Sequence, residues 1–124
     1  MIDIIKVKKN IEIKQQKQSE KLKSLFQKAW MDFETIVNHI IKVYQPDKIY
    51  QWGSLLNHKN FSEISDIDIC IEGNIPPKEF FCMLGEIEQM TSFPVHIVEI
   101  NKIEPVYAVS IKTKGRLVYE KSNT

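Results

Sequence analysis

An unbroken apolar stripe in the first half of the sequence constrains the fold more than any other feature. Its apolar side chains recur at steps of three and four residues: Leu22, Leu25, Phe26, Ala29, Trp30, Phe33, Val37, Ile40, Ile41 and Tyr44. This spacing is that of an amphipathic α-helix. Ser19 is suited to cap the N-terminus, and Pro46 ends the helix because proline lacks an amide donor. We therefore predict a long helix over residues 19–45.

Residues 1–18 form a basic extension ahead of this helix. Residues 2–14 alternate apolar and polar side chains, which fits a small hairpin, although a helix accommodates the same lysines. Residues 1–30 hold eight lysines and three acidic residues, a net charge of +5, whereas the rest of the chain carries about −4. A basic segment suits nucleic acid or an acidic partner, but a solvated lysine-rich face is the commoner explanation.

The remaining sequence alternates strand and helix patterns. Turn residues and apolar periodicity predict strands at 48–52, 66–72, 93–100 and 116–120, with helices opening at Pro76-Pro77 and spanning 105–114. With no internal repeat or linker, we predict one domain over residues 1–124, whose core is 47–120. The fold class is α+β.

Several classes of protein are disfavoured by composition. The hydrophobic fraction is 43% and the charged fraction is 27%, which is typical of globular chains rather than disordered or fibrous ones. No apolar run is long enough for a membrane span, and the N-terminus lacks the apolar region of a signal peptide, so we predict a cytoplasmic protein.

Two aspartates in the predicted second strand suggest chemistry. Because side chains alternate along a strand, Asp66 and Asp68 share one face about 6.5 to 7 Å apart, while the isoleucines between and after them face the core. Like charges this close favour a bound cation, and hard carboxylate oxygens suit Mg²⁺ or Mn²⁺. The alternative is that both aspartates merely occupy the solvated face of a sheet.

A Gly-Ser pair at the end of the preceding strand strengthens the metal interpretation. Gly53 has no Cβ, so a phosphate can approach the backbone, and Ser54 adds a hydroxyl and an amide donor. A phosphate cradle beside a metal site indicates a nucleotide.

Together, strand, Gly53-Ser54, a spacer and Asp66-Ile-Asp68-Ile resemble the signature of the nucleotidyltransferase superfamily that includes DNA polymerase beta, and the chain looks like its minimal nucleotidyltransferase subgroup. The resemblance covers residues 47–120. It implies a nucleotidyltransferase fold with a mixed four-stranded sheet packed by helices on one side. It also implies that Gly53 and Ser54 hold the phosphates of a nucleoside triphosphate, in particular ATP, and that Asp66 and Asp68 bind Mg²⁺. The implied reaction transfers a nucleoside monophosphate of the AMP type to a hydroxyl acceptor.

His96 departs from the family pattern, because it stands in the third strand where a third carboxylate is expected. It is a candidate for a replacement general base, for a ligand of a softer metal such as Mn²⁺ or Zn²⁺, or for a surface residue on a decayed site. We assign Asp66, Asp68 and His96 as the candidate catalytic residues. The alternative function is a catalytically inactive interaction module or antitoxin subunit.

Partners also follow from the resemblance. Minimal nucleotidyltransferases often act with a separate helical protein of the HEPN type, in some cases as the antitoxin that modifies it. The long helix, through Trp30 and Phe33, is the predicted docking surface for such a partner or for a homodimer, although apolar residues on such a stripe are more often core.

Overall fold

The N-terminal helix is far longer than the sequence pattern predicts. The computed structural model describes residues 2–63 and 65–122 and, for His58, the backbone only. Helix α1 runs over Ile4–Tyr44, a length of 41 residues. Its N-cap is Asp3, whose carboxylate accepts a hydrogen bond of 3.2 Å from the amide of Lys6. The predictions of Ser19 as the N-cap and of a hairpin in residues 2–14 are therefore wrong, and the helical alternative is correct.

The two halves of α1 have different surroundings. The side chains of residues 2–21 are all exposed, whereas the stripe from Leu22 onward meets the rest of the molecule and places Ala29, Phe33, Ile36 and Ile40 in the core. The helix ends at Gln45, which adopts a left-handed conformation with φ of 50° just before Pro46. The first half of α1 is thus an arm whose side chains are not buried against any other described part of the chain.

Four short strands form a mixed sheet. The strands are β1 (Lys48–Trp52), β2 (Ile67–Glu72), β3 (Val95–Glu99) and β4 (Arg116–Glu120), in the spatial order β3-β2-β1-β4. Strand β1 is antiparallel to both of its neighbours, and β2 is parallel to β3. The predicted α+β class and mixed four-stranded sheet are confirmed.

Two helices cover one face of this sheet. Helices α1 and α2 (Pro77–Glu88) pack on the face that carries Ile49, Ile69 and Ile71, and all three isoleucines are essentially inaccessible to solvent. This alternation of buried isoleucines fixes the opposite face of β2 as the one that presents the aspartate.

Helix α3 (Pro105–Lys114) packs on the other face, so the prediction of helices on one side holds only for α1 and α2. Its Ile111 forms a smaller apolar cluster with Tyr50, Cys70 and Ile100. Cys70 shares its face of β2 with Asp68, two residues earlier, so that face changes from polar to apolar along the strand. Helix α3 therefore forms one wall on the face that carries Asp68, whereas Asp66 lies one residue before β2 and outside the strand in which it was predicted.

No helix within the described part of the chain has the length and apolar character to cross a membrane.

Candidate active site

The turn after β1 lies in direct contact with an aspartate of β2. Gly53 has φ of 87° and ψ of −164°, a conformation that L side chains rarely adopt, and it leads into a single 3-10 turn at Ser54–Leu56. A Cβ added to Gly53 would overlap Oδ2 of Asp68 and lie 2.9 Å from its Cγ. Glycine is therefore required both by the backbone angle and by the close approach of the carboxylate.

Asp68 sits in an environment that disfavours its ionised form. It pairs across the sheet with Trp52, and its side chain is only 12% exposed. Burial, and next the negative charge of the half-buried Asp66, raise the pKa of Asp68 to about 6, while His96 acts in the opposite direction. A bound cation would offset both costs, because it supplies the positive charge that this pair of carboxylates lacks.

The structure places His96 directly beside Asp68. In the parallel pairing of β2 with β3, His96 is the register partner of Asp68, and its Nδ1 lies 3.6 Å from Asp68 Oδ1. The imidazole ring packs edge-on against Trp52 with 5.6 Å between ring centroids, and the His96 side chain remains 56% exposed. His96 therefore lies next to Asp68 in space, and its catalytic role stays a prediction.

The donor set fits a hard cation only in part. Among the described residues, no cluster of three or more His, Cys, Asp or Glu side chains could hold a metal ion by itself. The two carboxylates suit one Mg²⁺ that takes its other ligands from phosphate oxygens and water, since Mg²⁺ is commonly held by one or two carboxylates plus substrate phosphates.

Neither nearby glutamate supplies the missing third carboxylate. Glu72, at the far end of β2, forms an ion pair of 3.3 Å with Lys112 of α3. Glu99, at the end of β3, forms one of 2.8 Å with Lys102. Both acids are engaged by lysines, which leaves His96 as the residue in the third position.

Trp52 is the site residue that sequence reasoning missed. It separates two cavities on the aspartate side of the sheet. One, of about 280 Å³, lies between His96 and helix α3, and the other, of about 180 Å³, lies between Gly53 and α3. The buried indole Nε1 of Trp52 has no hydrogen-bond partner within the described part of the chain. The available signal was its place immediately before Gly53, on the face of β1 that adjoins Asp68.

A glycine-serine turn in contact with an aspartate of the neighbouring strand, within a mixed four-stranded sheet, defines a nucleotidyltransferase-type site. Comparison with protein families agrees, because the model of the family "Polymerase beta, Nucleotidyltransferase" matches residues 34–124. This chain belongs to that family, which confirms the resemblance drawn from the sequence. Members of the superfamily use a nucleoside triphosphate and a divalent metal.

Among solved structures, the chain is similar in fold to a chain in the crystal structure of a mutant of the toxin–antitoxin MntA-HpeT. The TM-score is 0.58 and the identity is 14%, with 73% of this chain and 74% of that chain covered. The likeness concerns the fold and agrees with the minimal nucleotidyltransferase resemblance. Comparison with curated proteins gave no match.

Proposed function

We propose that the protein binds ATP together with Mg²⁺ and transfers AMP to a hydroxyl acceptor. In this reaction the acceptor oxygen forms a bond to the α-phosphorus, the bond to the bridging oxygen breaks, and pyrophosphate leaves while the hydroxyl proton passes to a base. The observation that carries the proposal is the close approach of Gly53 to the Asp68 carboxylate, because it brings the turn proposed to hold phosphates next to an aspartate proposed to hold the cation.

Each residue has a defined part in this proposal. The missing Cβ of Gly53 makes room for the Asp68 carboxylate beside the turn, and Ser54 offers its hydroxyl and amide as donors to a phosphate. Asp66 and Asp68 hold the cation, which when bound neutralises phosphate charge. Gly53 follows β1 directly and touches Asp68 of β2, so the turn and the carboxylate are close neighbours. In this proposal the chain contributes mainly orientation and charge rather than a covalent intermediate.

His96 is the proposed proton acceptor for the hydroxyl. Its ring lies beside Asp68 yet is more than half exposed, and it lines the cavity of about 280 Å³ where an acceptor group can enter. Substitution His96→Ala is expected to lower AMP transfer while leaving ATP binding within about twofold of wild type, because the phosphate turn and both aspartates are unchanged. An equal loss of binding and transfer would instead assign His96 to nucleotide binding.

A transfer assay tests the proposal directly. The protein is incubated with ATP labelled at the α-phosphate and with Mg²⁺ or Mn²⁺, alone and with the protein encoded beside it in the genome. Wild type is compared with the double variant Asp66→Asn/Asp68→Asn and with Glu72→Gln, a matched control on the same strand whose acid is paired with Lys112 instead. Loss of label transfer in the aspartate variant, but not in Glu72→Gln, supports the proposed transferase activity.

A protein acceptor of the HEPN type is the partner we propose, with the pair acting as toxin and antitoxin in the cytoplasm. The support is that the similar fold is that of a chain in the toxin–antitoxin MntA-HpeT, and that this small domain holds little surface of its own for a second substrate. Trp30 is half-buried on α1 and lies under Arg116 at 5.0 Å, and Phe33 is buried, so the prediction that these two residues form the docking surface is wrong.

A second candidate function is an interaction module without catalysis. The specific observation in its favour is that His96, rather than a carboxylate, is the register partner of Asp68, which leaves the cation site one anion short. If no label is transferred in the assay but a stable complex with the neighbouring protein forms in both wild type and the aspartate variant, this second function replaces the first.

A further inference from the structure

The exposed arm of α1 carries an apolar stripe that continues the stripe of the packed half. Ile4, Val7 and Ile11 follow the same steps of three and four residues that lead on to Leu22, with Gln15 and Gln18 at the positions between. These three side chains are 76%, 46% and 51% exposed. A helical arm of this length in water, with an apolar stripe and no packing partner in its own chain, is only marginally stable.

A groove opens where the arm leaves the body of the protein. It is lined by Ser19, Leu22, Lys23, Phe26 and Gln27, which all belong to α1. Leu22 and Phe26 are half-buried, and the ion pair of 3.1 Å between Lys21 and Glu63 ties this region to the body. The groove has a volume of about 560 Å³ and an apolar floor, which suits side chains of another helix.

The arm and the groove are complementary to each other in a second copy of the chain. We propose that two copies pair their α1 arms in antiparallel fashion, centred between Gln16 and Lys17. This pairing puts Val7 of one copy opposite Phe26 of the other and Ile11 opposite Leu22, so that the apolar stripe of each arm enters the groove of its partner. The interface is isologous, which means that every contact occurs twice.

The individual side chains that meet across the pair fit this register. The polar centre of each arm meets the polar centre of the other, with Gln15 opposite Gln18. Glu12 of each copy faces Lys21 of the other, and no lysine lies directly opposite another lysine across the pair. Residues 1–30 of each copy carry a net charge of +5, so the pair brings two basic segments together and should tighten as the salt concentration rises.

Mass measurement tests whether the pair exists. Light scattering after size exclusion, at micromolar to tens of micromolar protein, is expected to give twice the chain mass of 14.5 kDa. The substitution Val7→Asp/Ile11→Asp should weaken dimerisation at least tenfold and return the single-chain mass. The matched control is Ile13→Asp, also an exposed isoleucine of the arm but on the opposite side of the helix, and it should remain dimeric. A monomeric wild type, a dimer that survives Val7→Asp/Ile11→Asp, or equal loss in Ile13→Asp would each overturn the proposal.

Cross-linking tests the antiparallel register and guards against unfolding of the variants. In a Cys82→Ser background, which removes the exposed native thiol, chains with Ile11→Cys are mixed with chains with Leu22→Cys. Disulfides are expected between the two kinds of chain and not within either kind alone. Disulfides within each kind of chain but not between the two kinds would indicate parallel arms and contradict the proposal. Dimerisation only in the presence of a different protein would assign the stripe to that protein and would also contradict it.

Discussion

Replacing Asp68 with asparagine is expected to make the metal-free protein more stable, because the carboxylate is costly to keep ionised where it lies. The side chain is 12% exposed, and burial together with Asp66 raises its pKa from 3.8 to about 6. An aspartate whose pKa is higher in the folded protein than in the unfolded chain loses folding free energy whenever it is ionised. Asparagine keeps the shape of the side chain and removes the charge.

The magnitude follows from the two pKa values. One pH unit corresponds to about 1.36 kcal/mol, so the difference between 3.8 and about 6 gives an upper value of about 3 kcal/mol at pH 8. Because part of the carboxylate reaches solvent and the amide must still find hydrogen-bond partners, we expect a gain of about 1 to 3 kcal/mol in the free energy of unfolding. For a domain of this size, that raises Tm by roughly 3 to 10 °C.

The gain should depend on pH in a definite direction. Above about pH 6 the carboxylate is ionised in both folded and unfolded states, so the full advantage of Asp68→Asn is present. Between about pH 6 and 3.8 the folded wild type binds a proton that the unfolded chain does not, and wild type gains stability as the pH falls. Below 3.8 both states are protonated, and the two proteins should be nearly equal.

Urea denaturation in the presence of EDTA at pH 8, 6 and 4 measures this difference. Glu72→Gln is the control, because that glutamate is paired with Lys112 and its removal should not stabilise the protein. Equal or lower stability of Asp68→Asn at pH 8 would refute the view that this carboxylate is held at an energetic cost that a cation offsets.

Three further substitutions test individual contacts. Gly53→Ala should destabilise the protein by about 1 to 3 kcal/mol and abolish nucleotide binding, because the alanine Cβ would overlap Asp68 and the backbone φ at this position is positive. Calorimetric unfolding measures the first effect and titration with ATP measures the second. His96→Asp should tighten Mg²⁺ binding about tenfold by restoring a third anion beside Asp68, and unchanged affinity in a Mg²⁺ titration would contradict the strand register. Gln51→Met should stabilise the protein by about 1 kcal/mol in urea unfolding, because the amide of Gln51 is fully buried without a hydrogen-bond partner in the described residues, and destabilisation would show that the amide is satisfied in solution.

Much of the fold follows from local chemistry in the sequence. Strand β1, helix α3 and strand β4 begin and end where the sequence predicts, because Pro105 opens α3 and Gly115 separates it from β4. A Cβ at Gly115 would lie 2.5 Å from the carbonyl oxygen of Ile111 and 2.7 Å from that of Gln51, so this turn admits little else. Backbone sterics determine which residue types fit such positions, so a proline or a glycine in the sequence indicates where an element begins or ends.

The helical conformation of the α1 arm could not be predicted from local chemistry in the sequence. In residues 2–14 the apolar side chains are spaced in a way that fits both a strand and a helix, and no burial in this chain selects between them. The stripe through Ile4, Val7 and Ile11 becomes evident only when it is aligned with Leu22 across nine intervening polar or charged positions and one isoleucine off the stripe. Helix length is therefore predicted well where a helix packs and poorly where it projects.

The candidate site shows a similar division. The alternation along β2 predicts the face that Asp68 occupies, whereas Asp66 precedes the strand. The family resemblance places His96 in the third strand, and the register of that strand pairs it with Asp68. The position of α3 on the aspartate face does not follow, because it depends on the long-range cluster of Tyr50, Cys70 and Ile111. For that reason the cavities beside Trp52 could not be predicted from the sequence.

Calorimetric titration with ATP, in Mg²⁺ and again in EDTA, tests the central claim that the Gly53-Ser54 turn and the two aspartates form one cation-dependent nucleotide site. We predict measurable ATP binding to wild type in Mg²⁺. Binding should be at least tenfold weaker in EDTA, and at least tenfold weaker for Asp66→Asn/Asp68→Asn in Mg²⁺. Each loss corresponds to about 1.4 kcal/mol or more of binding free energy. Binding that is the same with and without Mg²⁺, or the same in wild type and the double variant, would contradict the account.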